Sequence, residues 1–145
     1  MKAQLSLAVV YAIALLIPAS LVGCGGPSYP MGEVDGVVLI QGKPANKIFV
    51  QFVPDRSGET SPLPSNGQTD ESGHFVLNLI EPDGSMVPGA AVGTHRVVLR
   101  DLAAAESAGA PQIRLPVQYT MPGATPLREE VKEGKQTIEI HVPPR

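Results

Sequence analysis

Downstream of Val34 the chain is cut about every ten residues by clusters of Gly, Pro, Asn, Asp and Ser, and the runs between them alternate apolar with polar side chains. An amphipathic helix needs an apolar repeat of about 3.6 residues sustained over several turns, and no stretch offers a convincing one. Strands with alternating faces fit between turns so closely spaced. Gly and Pro number 15 each and charged residues are only 17% of the 145, so turns are frequent and charged helix surface is scarce. The pattern predicts an all-β domain folded as a sandwich.

Individual strands can be placed. Val34, Gly36, Val38 and Ile40 share one face of the first, which ends at the turn Gln41-Gly42-Lys43-Pro44, where Gly42 can take a positive φ. Ile48 to Val53 returns as a central, mostly buried strand, with Ile48, Val50 and Phe52 on one face. Asp55 to Gly67 reads as a polar loop. Asp70 to Gly73 reads as a turn in which the Asp70 carboxylate holds backbone amides ahead of it. His74 to Ile80 reads as one strand, Glu81 to Gly93 as a second Gly/Pro loop, and Thr94 to Arg100 as a strand carrying His95, Val97 and Leu99 on one face. Asp101 to Ala110 is the one helix candidate, with Asp101 as N-cap. Leu115 to Tyr119, Leu127 to Val131 and Thr137 to Val142 read as short strands, the last with Ile138, Ile140 and Val142 inward.

The beginning of the chain has a different character. Lys2 precedes a run from Leu5 to Ile17 broken only by Ser6 and Tyr11, the pattern of a signal-peptide hydrophobic region. Leu21-Val22-Gly23-Cys24 follows and resembles the bacterial lipobox at all four positions. Small side chains beside the bond to be cut suit a peptidase working in the membrane plane, and lipid transfer needs a nucleophilic thiol. The expected division is a lipoprotein signal peptide over residues 1–23, a lipidated Cys24 with a flexible linker over 24–32, and a sandwich over 33–145. An uncleaved anchor over Ala3 to Val22, and an ordinary leader with an incidental Cys24, are the alternatives. One acyl chain binds a membrane only marginally. Lipoproteins of this type carry three, so the resemblance implies a near-permanent tether to the cell membrane or outer membrane, with the domain outside the cytoplasm.

Cys24 is the only cysteine, which rules out an internal disulfide or a thiolate zinc site. The formal charge is −3, and loss of Lys2 with the leader leaves ten basic against fourteen acidic side chains. Lys43, Lys47, Arg96, Arg100, Arg114 and Arg128 are scattered rather than striped, so nucleic acid is not an expected partner. His74, His95 and His141 lie too far apart in sequence for a His-x-x-x-His metal pair. Asp70-Glu71 lacks the alternating ligands of a calcium loop. No serine sits in a Gly-x-Ser-x-Gly elbow. No catalytic residue, cofactor or metal ligand is therefore assigned.

Several blocks in order, Val34-Asp-Gly-Val-Val-Leu-Ile-Gln-Gly-Lys-Pro44, Val50-Gln-Phe-Val-Pro54, Thr69-Asp-Glu-Ser-Gly-His-Phe75, Gly93-Thr-His-Arg-Val-Val98, Leu115-Pro-Val-Gln-Tyr119, Thr125-Pro-Leu127 and Val131-Lys-Glu-Gly134, resemble the bacterial carboxypeptidase regulatory-like, transthyretin-like lipoproteins. The resemblance implies a seven- to eight-stranded Greek-key sandwich of the prealbumin type. Family members often carry an aromatic where His95 stands, and the 81–93 loop is longer here. Hydroxyisourate hydrolases of this fold end in Tyr-Arg-Gly-Ser, whereas this chain ends Val142-Pro-Pro-Arg145. The expectation is a non-enzymatic, membrane-tethered envelope domain that meets a protein partner through loops or strand edges. The alternative is a carbohydrate or small-molecule binding module built from the 55–67 and 81–93 loops.

Overall fold

The computed structural model describes residues 29–55, 61–106 and 114–144. Leu21, Val22, Gly23 and Cys24, with the leader around them, lie outside the described residues. The described chain is mostly β. In order it forms β1 (Met31–Ile40), β2 (Lys43–Pro44), β3 (Ile48–Pro54), β4 (Ser65–Gln68), β5 (His74–Val76), β6 (Asn78–Ile80), β7 (Met86–Pro88), β8 (Ala90–Ala91), β9 (Gly93–Asp101), a helix α1 (Leu102–Glu106), a 3-10 turn (Val117–Thr120), β10 (Arg128–Val131) and β11 (Gly134–Val142).

Two sheets divide these strands. In the first, β11 runs parallel to β1 along almost its whole length, from Gly32 beside Gly134 to Ile40 beside Val142. Three short antiparallel strands, β8, β5 and β2, share the other side of β1. The second sheet runs β10-β9-β3-β4-β6-β7, every pair antiparallel. The inward faces meet in one core, with Val34, Val38, Phe75, Ile138 and Ile140 from the first sheet against Ile48, Val50, Phe52, Val97 and Leu99 from the second. Each large side chain buried there contributes about 1.5–3 kcal/mol.

Period-two alternation places the long strands as expected. Ile48, Val50 and Phe52 are buried on β3, which lies between β9 and β4 as a central strand. The β1–β2 hairpin turns on Gln41 and Gly42, both with positive φ (54° and 76°). This is the left-handed pair that suits the twist of a two-residue hairpin.

Other expectations change. The described residues form eleven strands against the seven or eight expected, because short pairings subdivide regions that the sequence presents as single runs or loops. The run His74 to Ile80 is two strands. β5 pairs with β1 in the first sheet and β6 with β4 in the second, with buried Leu77 between them donating its N–H to Val34 O at 2.9 Å. The chain thus changes sheets at Leu77. The end of the expected 55–67 loop enters β4, whose Ser-Asn-Gly-Gln sequence carries no apolar signal. The expected 81–93 loop contains β7 and β8. Leu115 to Tyr119 is not a strand, since Val117 to Thr120 forms a 3-10 turn that Thr120 Oγ1 closes on Val117 O at 2.7 Å. β1 begins at Met31, inside the stretch expected as linker.

The helix starts where its cap was expected. Asp101 Oδ1 accepts the N–H groups of Ala103 at 3.1 Å and Ala104 at 3.3 Å, satisfying amides that the first turn leaves unpaired. Residues 107–110 of the expected helical stretch lie outside the described residues.

Candidate functional site

The residues most able to carry chemistry are dispersed, and structure occupies most of them. His95 is almost wholly buried, with its ring 5.8 Å from that of Phe52 and its Nδ1 2.9 Å from Gly93 O. Its cross-strand neighbour is Glu129, whose carboxyl is pushed up by burial. His74 and His141 lie on the opposite, solvent face of the first sheet, as alternation along β5 and β11 requires. The three histidines do not converge. Among the described residues no three His, Cys, Asp or Glu side chains are grouped to hold a metal ion.

Asp70 performs the role expected of it. Its Oδ1 accepts Ser72 N at 2.8 Å, Ser72 Oγ at 2.7 Å and His74 N at 3.0 Å, and Gly73 takes φ 76°. The Ser72 hydroxyl, then the His74 amide, hold the Asp70 carboxyl below its usual range. This turn docks on β1, where Val38 N donates to Gly73 O at 2.9 Å. Burial opposes ionisation of Asp101, yet the Arg114 hydrogen bond and charge, with the Ala104 and Ala103 amides, hold its carboxyl low. Arg114 also donates to Asn46 O at 3.0 Å, tying together the segments beside β3 and β9. Three other cations are similarly engaged: Lys47 pairs with Glu106, Arg96 with Asp55, and Arg100 lies over the Phe49 ring.

Of the two expected ligand loops, residues 56–60 lie outside the described residues; the strands the loops contribute, β4 and β7, flank β6. One hollow of about 130 Å³ opens between β1, β5 and β7, lined by Glu33, Asp35, Val76, Pro88 and Lys135 among others. It is smaller than the roughly 300–1,000 Å³ that enclose a typical small ligand. The Tyr119 ring is buried in the core, while the Tyr29 hydroxyl accepts Leu63 N at 3.5 Å.

The exposed face of the first sheet carries a row of charges. Lys135 pairs with Glu33 at 3.1 Å and His141 with Glu139 at 3.2 Å, while Asp35 lies between His74 Nε2 at 3.5 Å and the Thr137 hydroxyl at 3.3 Å. The imidazole and the hydroxyl each meet the carboxylate rather than one another. An activated nucleophile requires the imidazole to take the hydroxyl proton, so this order is a structural bridge.

The same face ends at an open edge. β11 is the last strand of its sheet and, among the described residues, pairs only with β1. Val142 O accepts Gln41 N at 2.9 Å, so the backbone polar groups of Val142 turn toward β1. Successive residues of a strand turn their N–H and C=O groups to opposite sides, hence Lys135, Thr137, Glu139 and His141 turn theirs to the open edge. Alternation exposes the side chains of the same four residues. Sequence reading marked the β11 alternation but missed that it is an edge, because edge position depends on long-range pairing.

No protein-family model matches the chain, and no match was found among curated proteins or solved structures.

Proposed function

We propose that this chain is a lipid-anchored protein of the bacterial cell envelope whose sandwich, of the carboxypeptidase regulatory-like and transthyretin-like type, acts by binding a protein rather than by turnover. Leu21-Val22-Gly23-Cys24 after an apolar leader supports the anchor. The observation that carries the interaction role is the nine-residue open edge of β11. Such an edge offers a row of hydrogen-bonding groups to an added strand. The principal polar clusters support binding over catalysis: Asp70 organises a turn, Asp101 caps a helix, and Asp35 separates the nearest imidazole from the nearest hydroxyl.

Replacing Cys24 with Ser tests the anchor. Loss of acyl labelling and of membrane retention is expected, and a Cys24→Ser chain that stays labelled and membrane-bound overturns it. Thr137→Pro tests the interaction role. Thr137 turns its N–H away from β1, so proline there blocks strand addition while leaving the β1–β11 ladder in place. A Thr137→Pro chain that keeps every crosslinked partner of the parent in intact membranes refutes binding through this edge.

A further inference from the structure

The geometry points to a second copy of this chain as the strand that β11 receives, in an antiparallel pairing centred on Thr137. This rests on the reading of β11 as an interaction edge, but not on the anchor at Cys24.

Symmetry restricts the possibilities. Two identical strands pairing about a twofold axis run antiparallel, and a residue i meets a residue j with a constant sum of i and j. Only residues turning backbone groups to the open edge can form the hydrogen-bonded pairs, so Lys135, Thr137, Glu139 and His141 must pair among themselves. Five registers centre on residues 135 to 139. Centring on Lys135 or Glu139 sets like charges directly opposite at the axis. Centring on Gln136 pairs Lys135 with Thr137, and centring on Ile138 pairs Lys135 with His141 and Thr137 with Glu139, so neither sets Lys135 against a carboxylate.

Centring on Thr137 alone sets Lys135 against the other copy's Glu139 and Thr137 against its Thr137, the Lys135–Glu139 pair occurring twice. Opposite charges and Thr–Thr pairs are favoured directly across a ladder, and like charges are disfavoured. The sequence from Lys135 to Glu139 is thus charge-complementary to its own reverse. The present partners do not obstruct the exchange. Lys135 and Glu33 are 82% and 57% exposed, and His141 and Glu139 are 63% and 67% exposed, so these are solvent-screened contacts that rearrange at little cost.

The arrangement is compatible with the tether. The twofold axis stands normal to the sheet, so the two Met31 ends lie at equal height on either side of it. Each Gly25–Pro30 segment ahead of β1 spans at most about 22 Å when extended, so both tethers can reach one membrane lying along the face of the sheet.

Full-length chain carrying Thr137→Cys is oxidised in its own membrane, with Glu130→Cys on β10 as control. Hydrogen-bonded antiparallel partners lie about 5.5 Å apart at Cα, within disulfide range. A disulfide-linked homodimer from Thr137→Cys, absent from the control and from the parent chain, is expected. Detergent-solubilised chain then reads the charges: Lys135→Glu should weaken self-association by about tenfold or more, and adding Glu139→Lys to it should restore association. That rescue separates a pairing role from a folding defect. Failure of Thr137→Cys to form a homodimer, or a double variant no better than Lys135→Glu, overturns the inference. A Thr137→Cys crosslink to a different protein also overturns it, while leaving β11 as the interaction edge.

Discussion

The two sheets end very differently. The second is bounded by β10, of four residues, and β7, of three, whereas the first, closed on one side by the short β8, β5 and β2, is bounded on the other by the nine residues of β11. Pro88, which has no N–H to donate, closes β7. Gly134, at φ 88°, ends the turn after β10. Short edges of this kind offer a newcomer few hydrogen bonds. β11 meets no comparable interruption until Pro143, and the charges of Lys135 and Glu139 stand beside its open backbone. Charge on a long edge discourages indiscriminate pairing while permitting a complementary partner. The protein therefore limits strand addition by length on one sheet and by charge on the other.

The largest expected effect breaks the long edge from within. Ile140 is buried, so Ile140→Ala should lower unfolding free energy by about 2–5 kcal/mol, whereas Val87→Ala, half-buried on β7, should cost about 1 kcal/mol or less. Urea unfolding of both variants checks this. Equal losses would mean that the short edge is as firmly tied to the core as the long one.

An intermediate effect concerns how the ends are fastened. The first sheet relies on the continuous β1–β11 ladder, while the Asp101–Arg114 pair ties the end of β9 to its neighbours. Asp101→Asn should cost about 1.5–3 kcal/mol at neutral pH, in the range for hydrogen bonds to charged groups. Because the folded state holds the Asp101 carboxyl below its unfolded value of about 3.9, the contribution is complete above that pH. It disappears as pH falls through the lower folded value. The gap between parent and Asp101→Asn in urea midpoint should accordingly close on acidification below about pH 4, and a gap constant down to strong acid would refute the pairing.

The smallest effect separates charge on the long edge from stability. Lys135→Ala removes only an exposed ion pair with Glu33 and should change unfolding free energy by less than about 0.5 kcal/mol in dilute protein. A loss several times larger, by thermal or urea unfolding, would show that this charge holds the monomer together.

Much of the core was legible because burial on a strand follows a period of two. Val34, Val38, Ile48, Val50, Phe52, Val97, Leu99, Ile138 and Ile140 are all buried as their alternation requires. Asp70 and Asp101 were legible because each acts on amides within four residues. β4 was not. Its residues Ser65 to Gln68 have little strand preference and are held by pairing with β3 and β6. The split at Leu77 was hidden for a similar reason, since Phe75, Leu77 and Leu79 keep perfect alternation while their backbone partners change from one sheet to the other. The position of β6 between the strands of the two expected ligand loops was not legible either, because nothing local to those strands specifies it.

By itself the sequence determined an apolar N-terminal run followed by the chain's one cysteine, Cys24, an alternating β domain, the positions of its principal turns and the inward face of each long strand. These depend on neighbours within a few residues, where sterics and side-chain hydrogen bonds act directly. Only the tertiary structure decided that β1 and β11 run parallel, that His95 is enclosed beside Phe52, and that Lys135, Thr137, Glu139 and His141 look out from an open edge. Whether a backbone group is paired or free depends on which distant strand lies beside it. That partner is chosen by burial of the shared core rather than by the strand's own residues.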